Sequence, residues 1–467
     1  MMSEAEKPNP MSRRAFLSRT ATAAAAGFAA PYVIPSGVLA APGRPGPNDR
    51  IHIGLIGANG QGNYNLDELL KQPDTSIVAI CEVDKTRRDR TIEKVMKATT
   101  KPEGRGRHDP KPYNDYREVL ARKDVDAVLI ATTPHWHCRM AVDAAEAKKD
   151  FYLEKPMTLY PAETLAVKRA VEKHKVITQI GTQVHATPNY RRIVDVVRSG
   201  VLGKISLART FHIFNNGEKG IGHAPDTRVP EGLDWDMWLG PGPYREFNAL
   251  LFKDSAHHPS FMAYSGGWTP GMAPHIIDVP FWALELGYPT TVYSSGGRYL
   301  VKDDGDAYDT HEVTWQFPNF TMTWTTSLIN SFAYTLQGNQ GCHRRRGIYL
   351  HGVNGTLVGD YGVLEVVREA CFLHKFNLDD IPRVIPDSVG HHREWLDGIR
   401  SRTQPSCNVG YHSKIDMAIT LSLLSLKLGR SVRFDPATET IPDDAEAMKL
   451  FKPTYRDPWK FPDQYVS

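Results

Sequence analysis

Cysteine is scarce in this chain and poorly arranged for structural use. Five cysteines (Cys81, Cys138, Cys342, Cys371, Cys407) are scattered through 467 residues, odd in number and nowhere in Cys-x-x-Cys spacing. That speaks against a disulfide framework and against a structural zinc module, and each reads as a small buried hydrophobe. A charge of one sign is also missing. The formal net charge is +3, and the longest cationic run is Arg344-Arg345-Arg346, so no electrostatic footprint for nucleic acid is present. Strongly apolar runs of about 20 residues are lacking, so stable membrane insertion is not expected. No P-loop, Gly-x-Ser-x-Gly elbow, His-Glu-x-x-His motif or internal repeat occurs. The paired histidines His257-His258 and His391-His392 read as loop or capping residues, and no metal site is expected.

What is present is ordinary soluble composition, 41% hydrophobic and 23% charged, in a chain too long for one core. Ser12-Arg13-Arg14-Ala15-Phe16-Leu17, followed by an alanine-rich run over 20–30, resembles a twin-arginine export signal. A cut ahead of Ala41 or at Ala29 and a periplasmic location follow as expectations. The domain scheme expected is a signal over 1–40, a Pro/Gly linker over 41–50, an α/β domain over 51–182 and an α+β domain over 183–467.

Within 51–182, apolar strands (51–56, 77–81, 127–131, 151–153, 176–180) alternate with helices (63–71, 85–97, 137–148, 161–174). Such alternation with short connections predicts a doubly wound parallel sheet. Residues 99–112 read as a loop and Tyr113-Asn114-Asp115-Tyr116 as the opening of a short helix. After position 183 the rhythm changes to longer β-prone runs (205–214, 291–299, 312–317, 320–328, 347–352, 356–359, 363–367). These predict a large, mainly antiparallel sheet with helices on one face, and helices over 391–402 and 413–428 returning to pack on the domains. Gly/Pro clusters at 216–243 and 259–274 read as ordered loops facing a site.

Chemistry enters at the first strand–helix turn. Gly57-Ala58-Asn59-Gly60-Gln61-Gly62 stands where a dinucleotide pyrophosphate meets a helix N-terminus, although the middle glycine of Gly-x-Gly-x-x-Gly is replaced by Asn59, with Gly60 beside it. Asn tolerates left-handed angles, so the turn survives; a plain tight turn is the alternative. Glu82 ends the next strand, 20 residues after Gly62, where an acid receives ribose hydroxyls and repels a 2′-phosphate. NAD is therefore expected over NADP, with Lys85, Arg87 and Arg88 moderating the preference. An exported enzyme cannot count on free nucleotide outside the cell, so the export signal and a tightly held cofactor explain each other.

Glu154-Lys155-Pro156 follows another strand, and a lysine at that edge points into the ligand crevice with its pKa expected to fall. Glu-Lys-Pro, the preceding Thr132-Thr133-Pro134-His135-Trp136-His137, Tyr113-Asn114-Asp115-Tyr116, the 233–241 segment, His275-Ile276-Ile277-Asp278 and Tyr455-Arg456-Asp457-Pro458-Trp459 together resemble the Gfo/Idh/MocA oxidoreductase family over nearly all of the mature chain. The resemblance implies a Rossmann domain and a carbohydrate or polyol substrate. Lys155 would be the catalytic lysine and His275 an acid/base or substrate ligand. Thr133, Pro134 and His137 would line the cofactor, with Trp136 close to the sugar. Gln183 and His185 match positions that often touch substrate. The aspartate common four residues before the histidine is here Gly271, which leaves a Lys–His pair. Asp278 either orients His275 or pairs locally. Trp268, with Trp235, Trp238, Tyr264 and Phe261, either stacks on sugar faces or fills core. A homo-oligomer formed through the large sheet is the expected assembly. Besides net oxidation, a redox-neutral glycoside hydrolysis or elimination through transient oxidation fits these residues, as does a sugar-binding or sensory protein with a vestigial site.

Overall fold

The computed structural model describes residues 46, 49–99, 109–331, 346–369, 371–372 and 377–466. The expected export signal, its cut and most of the linker, together with Cys342 and most of the 344–346 arginine run, lie outside these residues, as does most of the expected loop at 99–112. The chain divides into an N-terminal unit ending at Asp49 and one unit from Arg50 to Ser467.

The sheet that carries the site is built from β1 (Ile51–Ile56), β2 (Thr75–Cys81), β3 (Lys111–Tyr113), β4 (Ala127–Ile130), β5 (Asp150–Leu153) and β6 (Thr178–Ile180). Their order is β3-β2-β1-β4-β5-β6 and every pairing is parallel. Helices Gly60–Leu70, Lys85–Thr99, His137–Glu146 and Pro161–His174 provide the crossovers. Burial on both faces requires near-continuous apolar strands, and β4 (Ala-Val-Leu-Ile) is wholly buried. The strand order reverses between β1 and β4, which opens a crevice at their carboxyl ends.

β3 departs from the sequence expectation. Lys111 and Pro112 are exposed, and the strand pairs only with β2, so its Lys-Pro-Tyr sequence carries no apolar alternation to announce it. Tyr113 closes this strand instead of opening a helix. The helix starts at Tyr116, capped by Asp115, whose carboxylate accepts from Arg117 N at 2.9 Å.

The second sheet has eight described strands, β7 (Ile205–Ile213), β10 (Thr291–Gly297), β11 (Thr310–Phe317), β12 (Phe320–Ser327), β13 (Arg346–Gly352), β14 (Gly355–Gly359), β15 (Leu364–Arg368) and β16 (Val432–Arg433). Their order is β15-β14-β13-β7-β12-β11-β10-β16. Only β7 and β12 pair in parallel. A short ladder of β8 (Asp226–Thr227) and β9 (Phe247–Asn248) stands apart. In β12 burial alternates strictly, and Phe320, Met322, Trp324 and Thr326 face the core.

Helix Val409–Leu428 joins the two sheets. It packs on β10, on β6 and on helix Pro161–His174, and the Trp315 indole donates to its Ala418 carbonyl at 2.7 Å. It begins earlier than the apolar pattern suggests because the Asn408 side chain accepts from Tyr411 N at 3.1 Å. The two expected loop clusters contain short helices, Trp235–Leu239 in the first and Met262–Ser265 and Trp268–Met272 in the second. Among the described residues no helix is long and apolar enough to cross a membrane.

Candidate active site

Local backbone geometry explains the glycine turn. Gly57 has φ +91°, and a Cβ there would come within 2.6 Å of the Ala131 carbonyl oxygen. A Cβ on Gly62 would lie 2.0 Å from the Gly57 oxygen. The chain thus folds back on itself tightly enough to bare its N–H groups at the start of helix Gly60–Leu70. Asn59 works differently from the expectation. Its φ is −128°, and Gly60, at φ +38°, carries the positive angle. Asn59 contributes its carbonyl, which accepts from Gly62 N at 2.8 Å.

Glu82 stands where the fingerprint needs it. Its Oε2 accepts from Ala58 N at 2.8 Å and its Oε1 from Asp84 N at 3.2 Å. Burial pushes its pKa up, and those two N–H groups counter the shift. The nearby cations are taken up elsewhere. Arg87 lies 3.8 Å from the Phe252 ring centroid and pairs with Asp84 at 3.4 Å, Arg88 donates to the Glu82 carbonyl at 2.6 Å, and Lys85 pairs with Asp89 at 2.5 Å. A turn closed to a Cβ at Gly57 and Gly62, a helix N-terminus and a carboxylate at the next strand end fit a dinucleotide. Glu82→Gln is expected to erode NAD-over-NADP preference by about tenfold or more, the effect of roughly 1.4 kcal/mol. Comparative binding titrations check it; an unchanged ratio would remove Glu82 from the discrimination.

Lys155 follows β5 into the same cleft, a space of about 370 Å³ also lined by Gly57, Glu82, Thr133, Trp136 and Trp268. Its ammonium donates to the Gly271 carbonyl at 2.9 Å. Burial strips water from the ammonium and lowers its pKa, and the neighbouring Glu154 opposes that shift. Glu154 is fixed in turn, accepting from Asn65 Nδ2 at 2.7 Å. A Cβ added to Gly271 would meet nothing within 4 Å, so the position of the absent aspartate is open space.

Other residues singled out in the sequence fall into three places. Asn59, Gly60, Gln61, Pro134 and Glu154 line the cleft. Gly62 and His137 act from behind it. His137 is fully buried, with Nδ1 2.6 Å from the Pro156 carbonyl and Nε2 3.1 Å from that of Thr132; its neutral ring donates to one of the two and sits between the loops after β4 and β5 instead of lining the cofactor space. Its pKa falls to about 4 through burial. Gln183, His185, His275 and Asp278 do not line the cleft. His275 is close enough for Lys155 to depress its pKa further, although burial is the main cause. Asp278 pairs away from His275, accepting from Tyr411 Oη at 2.5 Å and lying 3.2 Å from His185 Nε2.

His258, expected from the sequence to be a loop or capping residue, belongs to the site. It lines the cleft, its Nδ1 donates to the Asp254 carbonyl at 3.3 Å, and burial takes its pKa down to about 4. Nothing periodic marks it; only the tertiary path of the 253–260 segment brings it there. Of the aromatic set, Trp235 and Trp238 stack at 4.5 Å within a small core with Phe261 and Tyr264. Trp238 also borders the cleft, as does Trp268, whose indole N–H is buried without a partner.

The motifs behind the family resemblance converge on one bracket over the cleft. Asn114 donates to Asp234 Oδ2 at 2.7 Å. The Trp136 indole donates to the Trp238 carbonyl at 3.0 Å, and Arg456 reaches Asp236 Oδ1 at 2.6 Å. Gly240 is required in this bracket, because at φ +48° a Cβ would strike the Trp136 ring at 2.1 Å.

A doubly wound nucleotide-binding sheet coupled to a large mixed sheet, with a lysine at their shared cleft, defines a class of two-part oxidoreductase. Residues 51–182 match the oxidoreductase family with an NAD-binding Rossmann fold, and residues 187–291 match its C-terminal alpha/beta domain. The chain belongs to the Gfo/Idh/MocA oxidoreductase family and carries its NAD-binding fold. An alpha-N-acetylgalactosaminidase of Shewanella oneidensis is 29% identical over 165 residues, 33% of each chain. The uncharacterized oxidoreductase YrbE of Bacillus subtilis is 29% identical over 159 residues, 33% of this chain and 42% of that one. The matched segment thus spans about a third of the length of most of these curated relatives. Among solved structures, the WlbA dehydrogenase of Bordetella pertussis, in complex with NADH and UDP-GlcNAcA, shares the fold with a TM-score of 0.59 at 15% identity, covering 83% of this chain and 98% of that one.

Proposed function

We propose that this chain is an NAD-dependent oxidoreductase acting on a sugar, polyol or glycoside, with Lys155 moving the proton of the reacting hydroxyl. One observation carries the reading: the amine of Lys155, its pKa lowered by burial, shares a cleft with the glycine turn and Glu82. Gly60 and the helix start would hold the pyrophosphate, with Gly57 allowing its close approach, and Glu82 the adenosine ribose. Bound NAD supplies two-electron redox chemistry at its nicotinamide. The chain's own residues do the rest. The neutral amine of Lys155 takes the hydroxyl proton, and the Gly271 carbonyl, which now accepts from Nζ, marks where that hydroxyl would approach.

A second reading, glycoside cleavage through transient oxidation of the sugar, is favoured by the glycosidase name of one relative. Candidate sugars and aryl glycosides added to nucleotide-loaded protein separate the two. Net oxidation gives a lasting rise in reduced-nicotinamide absorbance; the redox-neutral cycle gives a transient rise with aglycone release. Absence of any absorbance change across a broad panel, with sugars still shifting the melting temperature, would contradict both. Periplasmic export through the arginine pair, with the nucleotide retained from the cytosol, belongs to the same proposal, as does self-association through the β7–β12 sheet.

A further inference from the structure

Behind β6, away from the nucleotide cleft, three side chains of different chemistry converge. His185 sits in the turn Gln183–Ala186, Asp278 on helix Pro274–Leu284, and Cys407 just before helix Val409–Leu428. One donor atom from each, an imidazole nitrogen, a carboxylate oxygen and a thiol sulfur, lies within 4.8 Å of the other two. His185 is 4% exposed, and Asp278 and Cys407 are 0% exposed.

We propose that His185, Asp278 and Cys407 bind one transition-metal cation of the zinc type, with Tyr411 as the neighbouring oxygen donor. The bonding capacity left over in this pocket supports the proposal. His185 Nδ1 and Asp278 Oδ2 are buried without hydrogen-bond partners. His412, fully buried and within electrostatic reach of both, has neither nitrogen paired. Buried polar atoms are ordinarily satisfied, and so many orphans in one place point to an occupant that accepts electron pairs. The Cys407 thiol already lies within bonding reach of His185 and Thr182, so the unmet capacity sits on Asp278 Oδ2 and His412; a cation would use the imidazole, carboxylate and thiolate donors at once.

Geometry agrees. Ligands around tetrahedral zinc, at about 2.0–2.3 Å from the metal, stand roughly 3.5 Å apart, so the cluster needs to close by only about 1 Å. Nitrogen, oxygen and sulfur together suit zinc or cobalt and disfavour magnesium and calcium. The donors are also held firmly. Trp282 stacks on the His185 ring at 4.0 Å, Tyr411 meets it edge-on at 4.9 Å, and the Tyr411 hydroxyl donates to Asp278 at 2.5 Å. An entry path exists, since a second cavity of about 360 Å³, lined by His185, Trp282 and Tyr411, reaches the cluster. On binding, the Cys407 thiol and the His185 imidazolium, paired with Asp278, each release a proton to solvent, sulfur and nitrogen each donate an electron pair to the metal, and no oxidation state changes. The ion would tie the end of the first sheet to two helices that pack on the second. This inference is independent of the proposed redox activity.

The test uses the purified full chain, stripped with a chelator and titrated with Co²⁺ as a spectroscopic stand-in for zinc. Tetrahedral cobalt bands and a thiolate-to-cobalt band saturating at one equivalent are expected, with a melting temperature that rises on adding Zn²⁺. Cys407→Ser is expected to abolish the thiolate band and weaken uptake at least tenfold, with an unchanged circular dichroism spectrum; if that variant does not fold, His185→Gln is read for uptake in the same way. Failure of the wild-type chain to take up one equivalent, or a thiolate band that survives Cys407→Ser, would overturn the site and leave a purely hydrogen-bonded core cluster.

Discussion

Replacing Lys155 by alanine is expected to lower turnover by about two to four orders of magnitude, the usual worth of a positioned general acid–base group. Nucleotide affinity should change little, because the glycine turn and Glu82 hold the far end of the dinucleotide. Lys155→Arg should lose about as much, since a guanidinium keeps its charge but cannot take the proton. The pH profile gives the sign. Burial lowers the Lys155 pKa from its ordinary value of 10.5, so the neutral amine accumulates at lower pH than in a free lysine. The rate of substrate oxidation should therefore rise with pH and level off before the ordinary lysine range, and the alanine variant should lack that limb. Steady-state rates across pH, with nucleotide titrations on the same samples, check both halves. A variant with unchanged turnover would remove the lysine from the chemistry.

The second large effect belongs to Gly62. A valine there would set its Cβ 2.0 Å from the Gly57 carbonyl, and backbone of this turn cannot retreat, because Gly57 is itself pressed against Ala131 and Thr132. Loss of nucleotide retention by at least about a hundredfold and a clear fall in melting temperature are expected. Gly60→Ala is the informative comparison. Its φ of +38° carries strain, yet no atom lies within 4 Å of the added Cβ, so a much smaller loss should follow. Equal losses at the two positions would mean that strain, and not close approach, governs the turn. Isothermal titration with NAD alongside thermal melts separates binding from stability.

These expectations rest on features that the sequence exposes to different degrees. The parallel sheet was legible because both of its faces are buried, which forces continuous apolar runs such as Ala127-Val128-Leu129-Ile130. The turn after β1 and the lysine after β5 were legible because their chemistry is local, a few residues in fixed order between a strand and a helix. Long-range geometry was not. β3 carries no pattern because it is short and lies at an edge. Gly60, not Asn59, proved to supply the left-handed angle, a choice between adjacent residues that backbone torsion alone decides. His137 belongs to the sequence block that includes Thr133 and Pro134, yet its ring turns inward to the Pro156 and Thr132 carbonyls.

Asp278 shows the same limit. One helical turn after His275, it could serve that histidine, but helix Val409–Leu428 brings Tyr411 against its other side. Cys407 read as a buried hydrophobe because no spacing rule joins it to residues 129 and 222 positions earlier in the chain. Only the packing of three separate segments sets it beside His185 and Asp278.

The most direct test of the central claim is a structure of the chain with NAD bound. The account predicts pyrophosphate oxygens on the N–H groups of Gly60 and Gln61 at the helix start and the nicotinamide ring against Lys155, whose ammonium has left the Gly271 carbonyl to face the substrate space. A dinucleotide seated elsewhere, or a Lys155 ammonium still turned away from the ring, would contradict it.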